Sequence, residues 1–391
     1  MIRPTNSRGL NSRVLNRQAG NRQTGVALLA ALIMMLAVVI TLGNIFYRHQ
    51  IDISQATSSL HGDQAILLAI SGENWARQLL SDAKDDRNID HLEEDWAQAM
   101  PILPVEGGTL TGCLADLQGR INLNSFSSYS SQSLKTEMAA DTNGYAKVWN
   151  ALLNSLQIVT DPARVAKIID WVDADSDLVN SWGAEQVDYD GFSPPRVPAN
   201  SLISDITELA AIDGYQVAEV QRLMPWLSAL PDITPININT ASDQLLVALG
   251  GSLGLEFEQM VSEGRPFSSM GEFHQFIAQR TQLALPLVEA RWPAAVLTVN
   301  SSYFELYLEV TLGEARIEVK SIMARTGRPE PVILSREITM VPASLPKPTS
   351  SAMEDLFDDS SDKELSENPD EDQSMETNNV QSACLMIGEA N

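Results

Sequence analysis

The sequence predicts an α+β protein with a long amino-terminal helix and a small antiparallel sheet that a large, all-helical insertion interrupts. Three observations predict this class. An uncharged apolar stretch starts at Val26 and continues into a helical pattern of apolar residues. Short runs with strand alternation occur around residues 109–123 and again at residues 303–340. The roughly 170 residues between these two blocks have mainly helical patterns.

The amino terminus predicts one membrane-spanning helix. Residues 1–25 contain five arginines and no acid, and no charged residue occurs from Gln23 to Tyr47. About 20 apolar residues suffice to cross a bilayer as a helix. Because a basic flank stays on the cytoplasmic side, we expect the rest of the chain to lie on the opposite side. The helical pattern continues through Leu79 to about Asp82.

The junction between the leader and the apolar stretch is a single glycine, Gly25. A basic leader that ends in glycine directly before an apolar stretch resembles the leader of type IV prepilins. In that family a membrane aspartyl peptidase cuts after the glycine. The resemblance therefore implies processing between Gly25 and Val26, with Val26 as a methylated first mature residue. An uncleaved signal anchor is the alternative that the residues leave open.

One position departs from the common pilin pattern. Most pilins have a glutamate at the fifth mature position, where its carboxylate neutralises the free amino terminus of a neighbouring subunit. That position is Ala30 here. Because an unpaired charge in an apolar environment is costly, a subunit without this carboxylate belongs at the end of a filament. Lack of the glutamate is typical of the K-type minor pseudopilin of type II secretion systems.

Further segments resemble the K pseudopilin family. Residues 63–80 resemble the end of the family's long helix, and two motifs follow in the expected order at residues 103–112 and Asp116–Ser125. The resemblance covers residues 25 to about 340. It implies a pilin-like sheet interrupted by a helical insertion that contains a helix-hairpin-helix-like (SAM-like) unit.

The combined patterns divide the chain into six segments. They are a prepilin leader (1–25), a transmembrane helix (26–47), a periplasmic helix with the first part of the pilin-like domain (48–125), the helical insertion (126–298), the second part of the sheet (299–343) and an acidic disordered tail (344–391).

The resemblance also implies a function. A K pseudopilin caps the tip of the type II secretion pseudopilus and helps to initiate its assembly for export of folded proteins across the outer membrane. Its partners are the minor pseudopilins I and J, the prepilin peptidase and the inner membrane, and its head lies in the periplasm. The alternatives are a signal-anchored periplasmic calcium-binding adhesin and a minor pilin of a type IV system.

An acidic segment predicts a metal site. Oxygen ligands at high density suit calcium, which accepts 6 to 8 of them. The segment is not an EF-hand, because Leu178 stands where the loop needs glycine and Ala184 where it needs glutamate. The residues alone also allow a solvated acidic loop. The seven carboxylates are those of Asp170, Asp173, Asp175, Asp177, Glu185, Asp188 and Asp190.

The K family carries a similar Asp-Trp-x-Asp-x-Asp and Gly-Ala-Glu segment and binds calcium there. The resemblance therefore implies a structural Ca²⁺. It implies Asp173, Asp175, Glu185 and Asp188 as the main ligands, with Asp170, Asp177 and Asp190 as further candidates.

A second motif resembles the helix-hairpin-helix of DNA-binding proteins. It spans residues 235–251 and 265–273, and Thr240 or Ser242 is the predicted cap of a helix that ends at Gly250. Its neighbours are acidic, and the chain has a formal charge of -25, which opposes phosphate binding. We therefore predict a packing role and no nucleic-acid partner. No catalytic motif stands in its required context, so the sequence predicts no enzyme.

The carboxy-terminal segment has the composition of a disordered tail. From Ser351 onward it contains twelve Asp or Glu residues against Lys363 alone among lysines and arginines. The two cysteines of the chain are Cys113 and Cys384, and the second lies in this tail. No structural disulfide can be inferred from them, and a Cys113–Cys384 bridge is the minor alternative.

Overall fold

The computed structural model describes residues 24–81, 88–98, 100–129, 144–325 and 330–341. The chain divides into two compact units, residues 1–60 and 61–391. The predicted leader up to residue 23 and the predicted acidic tail lie outside the described residues.

The first unit contains the amino-terminal part of helix α1, which runs from Thr24 to Ser81. Its apolar side chains are exposed, among them Leu36 at 60% and Phe46 at 70%. Within the described residues, α1 is the one helix that is long and apolar enough to cross a bilayer. The described part of α1 continues to Ser81, and the predicted end near Asp82 lies outside the described residues.

The second unit contains an antiparallel sheet of the order β1-β2-β7-β8-β9. The strand β2 pairs with β7 from Gly108 opposite Leu312 to Asp116 opposite Phe304, although residues 117–302 separate them in the sequence. The insertion therefore interrupts a continuous sheet, and the predicted fold class is confirmed. The strands are Leu103–Val105 (β1), Gly108–Asp116 (β2), Tyr303–Leu312 (β7), Ala315–Ala324 (β8) and Val332–Val341 (β9).

The carboxy-terminal part of α1 packs on one face of this sheet through small residues. Ala65, Ala69 and Ala76 are almost fully buried there. At Gly72 a Cβ atom would lie 2.9 Å from Leu308 Cδ1, so a larger residue there would require the Leu308 side chain to shift. The buried carboxylate of Glu73 accepts hydrogen bonds from Arg336 of β9 and Ser321 of β8. These contacts tie the helix to the sheet.

The insertion consists of short helices around one large core that includes Phe126 and Trp149. Strand pairs β3–β4 and β5–β6 are parallel and two residues long. The helices are Tyr145–Ser155 (α2), Pro162–Val172 (α3), Gln186–Tyr189 (α4), Val217–Leu223 (α5), Asp243–Gly250 (α6), Leu255–Gly264 (α7), Met270–Thr281 (α8) and Leu285–Arg291 (α9). The short strands are Ile121–Asn122 (β3), Leu227–Ser228 (β4), Ile236–Asn237 (β5) and Leu297–Thr298 (β6).

Helices α6 and α7 form a helical hairpin. Of the two segments predicted for this motif, residues 235–251 contain α6 and residues 265–273 contain the start of α8, whereas α7 lies between them. Gly251 and Gly254 have φ angles of 57° and 49°, which allow the tight connection. Ser242 caps α6 by accepting a hydrogen bond from the backbone N–H of Leu245, and α6 ends at Gly250 as predicted. The guanidinium of Arg265 donates to the backbone oxygens of Ile238 and Ala241 at 2.7 and 2.6 Å. This basic residue therefore serves packing inside the insertion.

The motif from Asp116 to Ser125 joins the sheet to the insertion. A strand predicted at residues 120–123 is only two residues long, and β3 pairs with β4 of the insertion rather than with the main sheet. The reason is that buried polar side chains in this segment, rather than a neighbouring strand, form the hydrogen bonds to backbone groups. The amide of Asn124 donates to the backbone oxygens of Ile203 and Leu230, both at 2.8 Å, and its oxygen accepts from the N–H of Ile203.

Asp116 is the centre of this junction. Its side chain is fully buried and accepts hydrogen bonds from Thr240, Ser301 and Asn237 and from the backbone N–H of Gln118. Beside it, Asp90 pairs with Arg325 and accepts from the N–H of Ser301 at 2.7 Å. Burial raises the pKa of Asp90 to about 6, although the Arg325 charge opposes the rise. Polar bonds therefore hold the insertion in place on the sheet.

One residue of β2 corrects an expectation from the sequence. Cys113 is disulfide-bonded, whereas no structural disulfide could be inferred from the two cysteines. Cys384 lies outside the described residues.

Candidate functional sites: an acidic loop and an exposed helix face

The acidic loop connects α3 to α4. Asp170 lies in the last turn of α3 and is fully buried, and Asp173 is the residue that ends this helix. Glu185 directly precedes α4 and is only 6% exposed. The two short helices therefore fix both ends of the loop, and the remaining carboxylates lie on the loop or on α4.

Asp170 organises the backbone of this loop. Its two carboxylate oxygens accept hydrogen bonds from the N–H groups of Val179 and Ala184, both at 2.8 Å. Burial raises the pKa of Asp170 to about 7, and these two hydrogen bonds oppose the rise. Because both of its oxygens already bind backbone N–H groups, the main role of Asp170 is to shape the loop.

The glycine of the Gly-Ala-Glu segment is required by this contact. A Cβ atom at Gly183 would lie 1.9 Å from the Oδ2 atom of Asp170. No real side chain tolerates that distance, and the neighbour is a buried carboxylate held by two hydrogen bonds. Gly183 is therefore needed where the loop passes Asp170.

We expect Gly183→Ala to lower the free energy of unfolding by about 1–3 kcal/mol, because overpacking displaces Asp170 from its two N–H donors. Urea unfolding of the full chain in detergent, followed by tryptophan fluorescence, measures the change. The matched control is Gly191→Ala, since a Cβ atom there meets its nearest neighbour, the backbone oxygen of Asp188, at 3.8 Å. Equal stability of the two variants would contradict the steric argument.

Four buried side-chain oxygens around the loop have no hydrogen-bond partner. They are Oδ1 of Asp173, both carboxylate oxygens of Glu185 and Oδ1 of Asn200. The Glu185 carboxylate lies near the backbone N–H groups at the start of α4, so its oxygens are less isolated than those of Asp173 and Asn200. Buried oxygens without a donor are costly unless a cation or water satisfies them. Carboxylate and amide oxygens are the ligands that calcium prefers. The residues present therefore fit a calcium ion.

The raised pKa values of carboxylates in the loop indicate the same residues as calcium ligands. Burial and then the Asp175 charge raise the pKa of Asp173 to about 6. Burial also raises the pKa of Glu185, and the charges that act on it belong to Asp173, Asp175 and Asp177. These carboxylates therefore face one another closely enough to repel. A divalent cation between them would remove this repulsion.

The structure gives the other predicted ligands different roles. Asp188 accepts a hydrogen bond from the backbone N–H of Glu185 at 3.0 Å, as a helix cap does. Asp190 accepts from the amide of Gln186 at 2.6 Å, and Asp175 accepts from the N–H of Asp177 at 2.8 Å. The full ligand set therefore stays a prediction.

In the part of the chain that the structure describes, no three His, Cys, Asp or Glu side chains are already arranged to hold an ion. A loop of mutually repelling carboxylates would have to contract around calcium. Asn200, which sequence reasoning missed, supplies a further oxygen and fastens the loop by donating to the backbone oxygen of Asp175 at 2.8 Å. A search of the sequence for acidic residues does not find Asn200, because its side chain is neutral.

Calcium binding is expected to strengthen as pH rises from 5 to 7.5. The folded-state pKa values of Asp170 and Asp173 lie above 3.8, their ordinary value. Without calcium, the folded state therefore retains protons that the unfolded state has lost, so stability falls as pH rises through about 6 to 7. A calcium ion bound at Asp173 and its neighbours would take the place of a proton there and would offset this loss.

Thermal unfolding of the full chain with and without calcium at both pH values measures this effect. We expect a small calcium-induced rise in Tm at pH 5 and a larger one at pH 7.5. A rise that is the same at both values would contradict the involvement of these carboxylates.

The second candidate site is the side of α1 that faces away from the sheet. Leu67 and Trp75 are 64% and 47% exposed there, whereas the opposite side of the same helix is buried on the sheet. Two large apolar side chains exposed on a regular helix suit a contact with another helix.

Three comparisons with known proteins show what this chain is similar to. The family model described as "Type II secretion system (T2SS), protein K" matches residues 119–232. The chain is similar to type II secretion system protein K of Aeromonas hydrophila, with 34% identity over 327 residues that cover 80% of this chain and 96% of that protein. It is 30% identical over 315 residues to the protein of that name from Pseudomonas aeruginosa, with coverage of 77% and 88%.

Among solved structures, the chain is similar to one in the crystal structure of the GspK-GspI-GspJ complex from the enterotoxigenic Escherichia coli type 2 secretion system. The TM-score is 0.62 at 23% sequence identity, and the match covers 73% of this chain and 99% of that one. This similarity supports the fold described above.

Proposed function

Because the chain belongs to the type II secretion system protein K family, we propose that this minor pseudopilin caps the tip of the secretion pseudopilus. We further propose that it helps to initiate pseudopilus assembly for the export of folded proteins across the outer membrane. Proteins of this family are structural pseudopilins of protein transport, and we assign this chain no catalytic role.

The observation that supports a position at the tip is the insertion between β2 and β7. The described residues of the segment 117–302 form a separate, mainly helical core beside the sheet. In a filament of pilin-like subunits, the sheets and helices pack closely side by side. A subunit with such a large addition would obstruct the next one, whereas at the tip the addition meets no further subunit. Ala30 in place of the usual glutamate fits the same position.

The membrane and the peptidase form part of the proposal. The apolar part of α1 is compatible with a single-pass anchor, which would lie in the inner membrane with the head in the periplasm. We propose that the prepilin peptidase cuts after Gly25 and leaves a methylated Val26 as the first residue. Peptide mass spectrometry of protein from cells with and without the peptidase tests this step.

The proposed partners are the minor pseudopilins I and J. The similar chain was solved in a complex named for GspK, GspI and GspJ. On this chain, the exposed side chains of Leu67 and Trp75 supply an apolar helix face for such a partner. We propose that this face of α1 packs against a helix of one of the two partners.

A structural calcium ion completes the proposal. It would be held by Asp173, Asp175 and Glu185, with Asn200 as a neutral ligand and with Asp177, Asp188, Asp190 and Asp170 as further or supporting groups. Calcium would hold the loop between α3 and α4 in one shape, since the orphaned oxygens there have no protein donor.

The experiment combines secretion and assembly. In a strain that lacks this gene, the wild-type chain should restore secreted exoprotein activity in the medium and should co-purify with I and J. Leu67→Glu combined with Trp75→Glu should reduce both exoprotein secretion and co-purification with I and J, because two charges would enter an apolar contact. The matched control is Leu255→Glu, an equally exposed apolar residue at 66% on the insertion.

Full secretion without this chain would overturn the proposed function. Loss of adhesion or twitching with intact secretion would favour the signal-anchored adhesin or the type IV minor pilin instead. Loss of co-purification in the Leu255→Glu control would move the contact from α1 to the insertion.

A further inference from the structure

The sheet has a second face, which points away from α1. Side chains of a strand alternate between the two faces. Leu110 and Leu114 of β2 and Leu308 of β7 pack with α1. Cys113 and its cross-strand neighbour Tyr307 therefore point to the far face, in one row with Lys320 of β8.

Parts of this far face are buried. Tyr307 is only 4% exposed and Glu309 only 6%. Tyr307 belongs to none of the hydrophobic clusters that the described residues form, and residues 61–81 of α1 lie on the opposite face. An antiparallel sheet with one covered face normally leaves the other to solvent. A segment of polypeptide therefore covers the far face at its centre.

Cys113 identifies that segment. It is half-buried on the same face and is disulfide-bonded. The sequence holds one other cysteine, Cys384. Cys384 lies in Ala383-Cys-Leu-Met-Ile387, an apolar run at the end of a strongly acidic stretch. Such a run is unusual in a solvated tail, and it suits a sheet face that buries a tyrosine.

We propose that the far face of the sheet is the docking surface for the chain's own segment around Cys384, which a Cys113–Cys384 disulfide fastens there. The connection is long enough, because an extended chain spans about 3.3 Å per residue and residues 342–383 lie between β9 and Cys384. The acidic stretch is then a loop closed at both ends rather than a free tail. Lys320, which is exposed beside the docking surface, offers it a positive charge.

The bond forms by oxidation of two thiols. Cys113 and Cys384 together lose two protons and two electrons, and one S–S bond forms between their Sγ atoms. A protein disulfide of a thiol oxidoreductase accepts the electrons and becomes a dithiol through a mixed-disulfide intermediate. Both cysteines follow the membrane-spanning helix in the sequence, so both reach the same compartment.

The test is disulfide mapping of the full chain, purified in detergent without reductant and alkylated to block free thiols. Trypsin produces one peptide with each cysteine, Asn88–Arg120 and Glu364–Asn391. We expect these two peptides to be linked in the band that runs as a monomer and to separate on reduction. A Cys113 peptide that is unlinked, linked to its own copy or linked to another protein overturns the proposal.

The variant Cys384→Ser tests the docking itself, and it alters a residue of the tail rather than the folded sheet. We expect maleimide to label Cys113 in the native protein. Hydrogen exchange of residues 305–309 should become about tenfold faster as the face opens. The matched control Ser382→Ala should retain the linkage and the slow exchange. Unchanged exchange in Cys384→Ser would show that another segment covers the face and would overturn the proposal.

Discussion

Asp116→Ala is expected to lower the free energy of unfolding by about 3–5 kcal/mol. The substitution removes the acceptor of four buried hydrogen bonds, from Thr240, Ser301, Asn237 and the N–H of Gln118. Each buried donor left without an acceptor costs about 1–3 kcal/mol, and large losses are typical when a buried network is broken. Urea unfolding of the full chain in detergent measures the change.

The matched control for this prediction is Asp161→Ala. Asp161 accepts one exposed hydrogen bond, from the N–H of Ala163 at the start of α3. Loss of such a cap costs about 1 kcal/mol. A loss at Asp116 no larger than the loss at Asp161 would show that water replaces the carboxylate in the junction, and the junction would then not be what holds the insertion.

Removal of calcium is expected to lower the Tm of the full chain by about 5–10 °C at pH 7.5. A ligand at 100 times its Kd stabilises the folded state by about 2.7 kcal/mol. For a domain of the size of the insertion, each kcal/mol shifts Tm by about 2–4 °C. Differential scanning fluorimetry with a chelator and with added calcium measures the shift. Magnesium should not replace calcium, because it demands near-ideal octahedral geometry.

Two variants test which residues bind the ion. Asp173→Asn combined with Glu185→Gln should abolish the calcium-induced rise in Tm, because both carboxylates have orphaned buried oxygens. The matched control is Asp205→Asn, an acid outside the acidic loop whose carboxylate accepts from the N–H of Thr207, and it should leave the calcium-induced rise intact. No calcium effect in the wild-type chain would remove calcium from the proposal and leave a solvated acidic loop.

The calcium test is independent of the tip position. A chain that does not bind calcium still belongs to the K family and still carries the insertion between β2 and β7. Secretion assays with the Asp173 and Glu185 variant would show whether the loop matters for export. We expect reduced secretion only if the insertion unfolds in part, which protease resistance of the purified chain measures.

Local patterns in the sequence were sufficient for the longer elements. The charge-free apolar stretch after Gly25 predicts α1, because helix length and bilayer thickness are properties of a continuous segment. The alternation from Tyr303 to Met340 predicts three strands of the meander, because a two-residue period depends only on neighbours in the chain. Ser242 and Gly250 mark both ends of α6 for the same reason, since helix caps act over a few residues.

The acidic loop shows what local sequence patterns do not determine, which is the role of each individual carboxylate. The sequence identified all seven carboxylates and the resemblance suggested calcium. It did not separate Asp170, which binds backbone N–H groups, from Asp173 and Glu185, whose oxygens have no partner. Burial and bonding of each carboxylate depend on how α3 and the loop fold together. Asn200 joins the loop through the same packing.

The long apolar helix, the three strands of the meander, helix α6 and the acidic loop were all predictable from the sequence, since each follows from residues close together in the chain. The contacts that hold these parts together were visible only in the folded chain. The bonds of Asp116 reach residues more than one hundred positions away, and Cys113 faces a surface that only the assembled sheet creates. Contacts of this kind depend on the distance between atoms in space, which spacing along the chain does not encode.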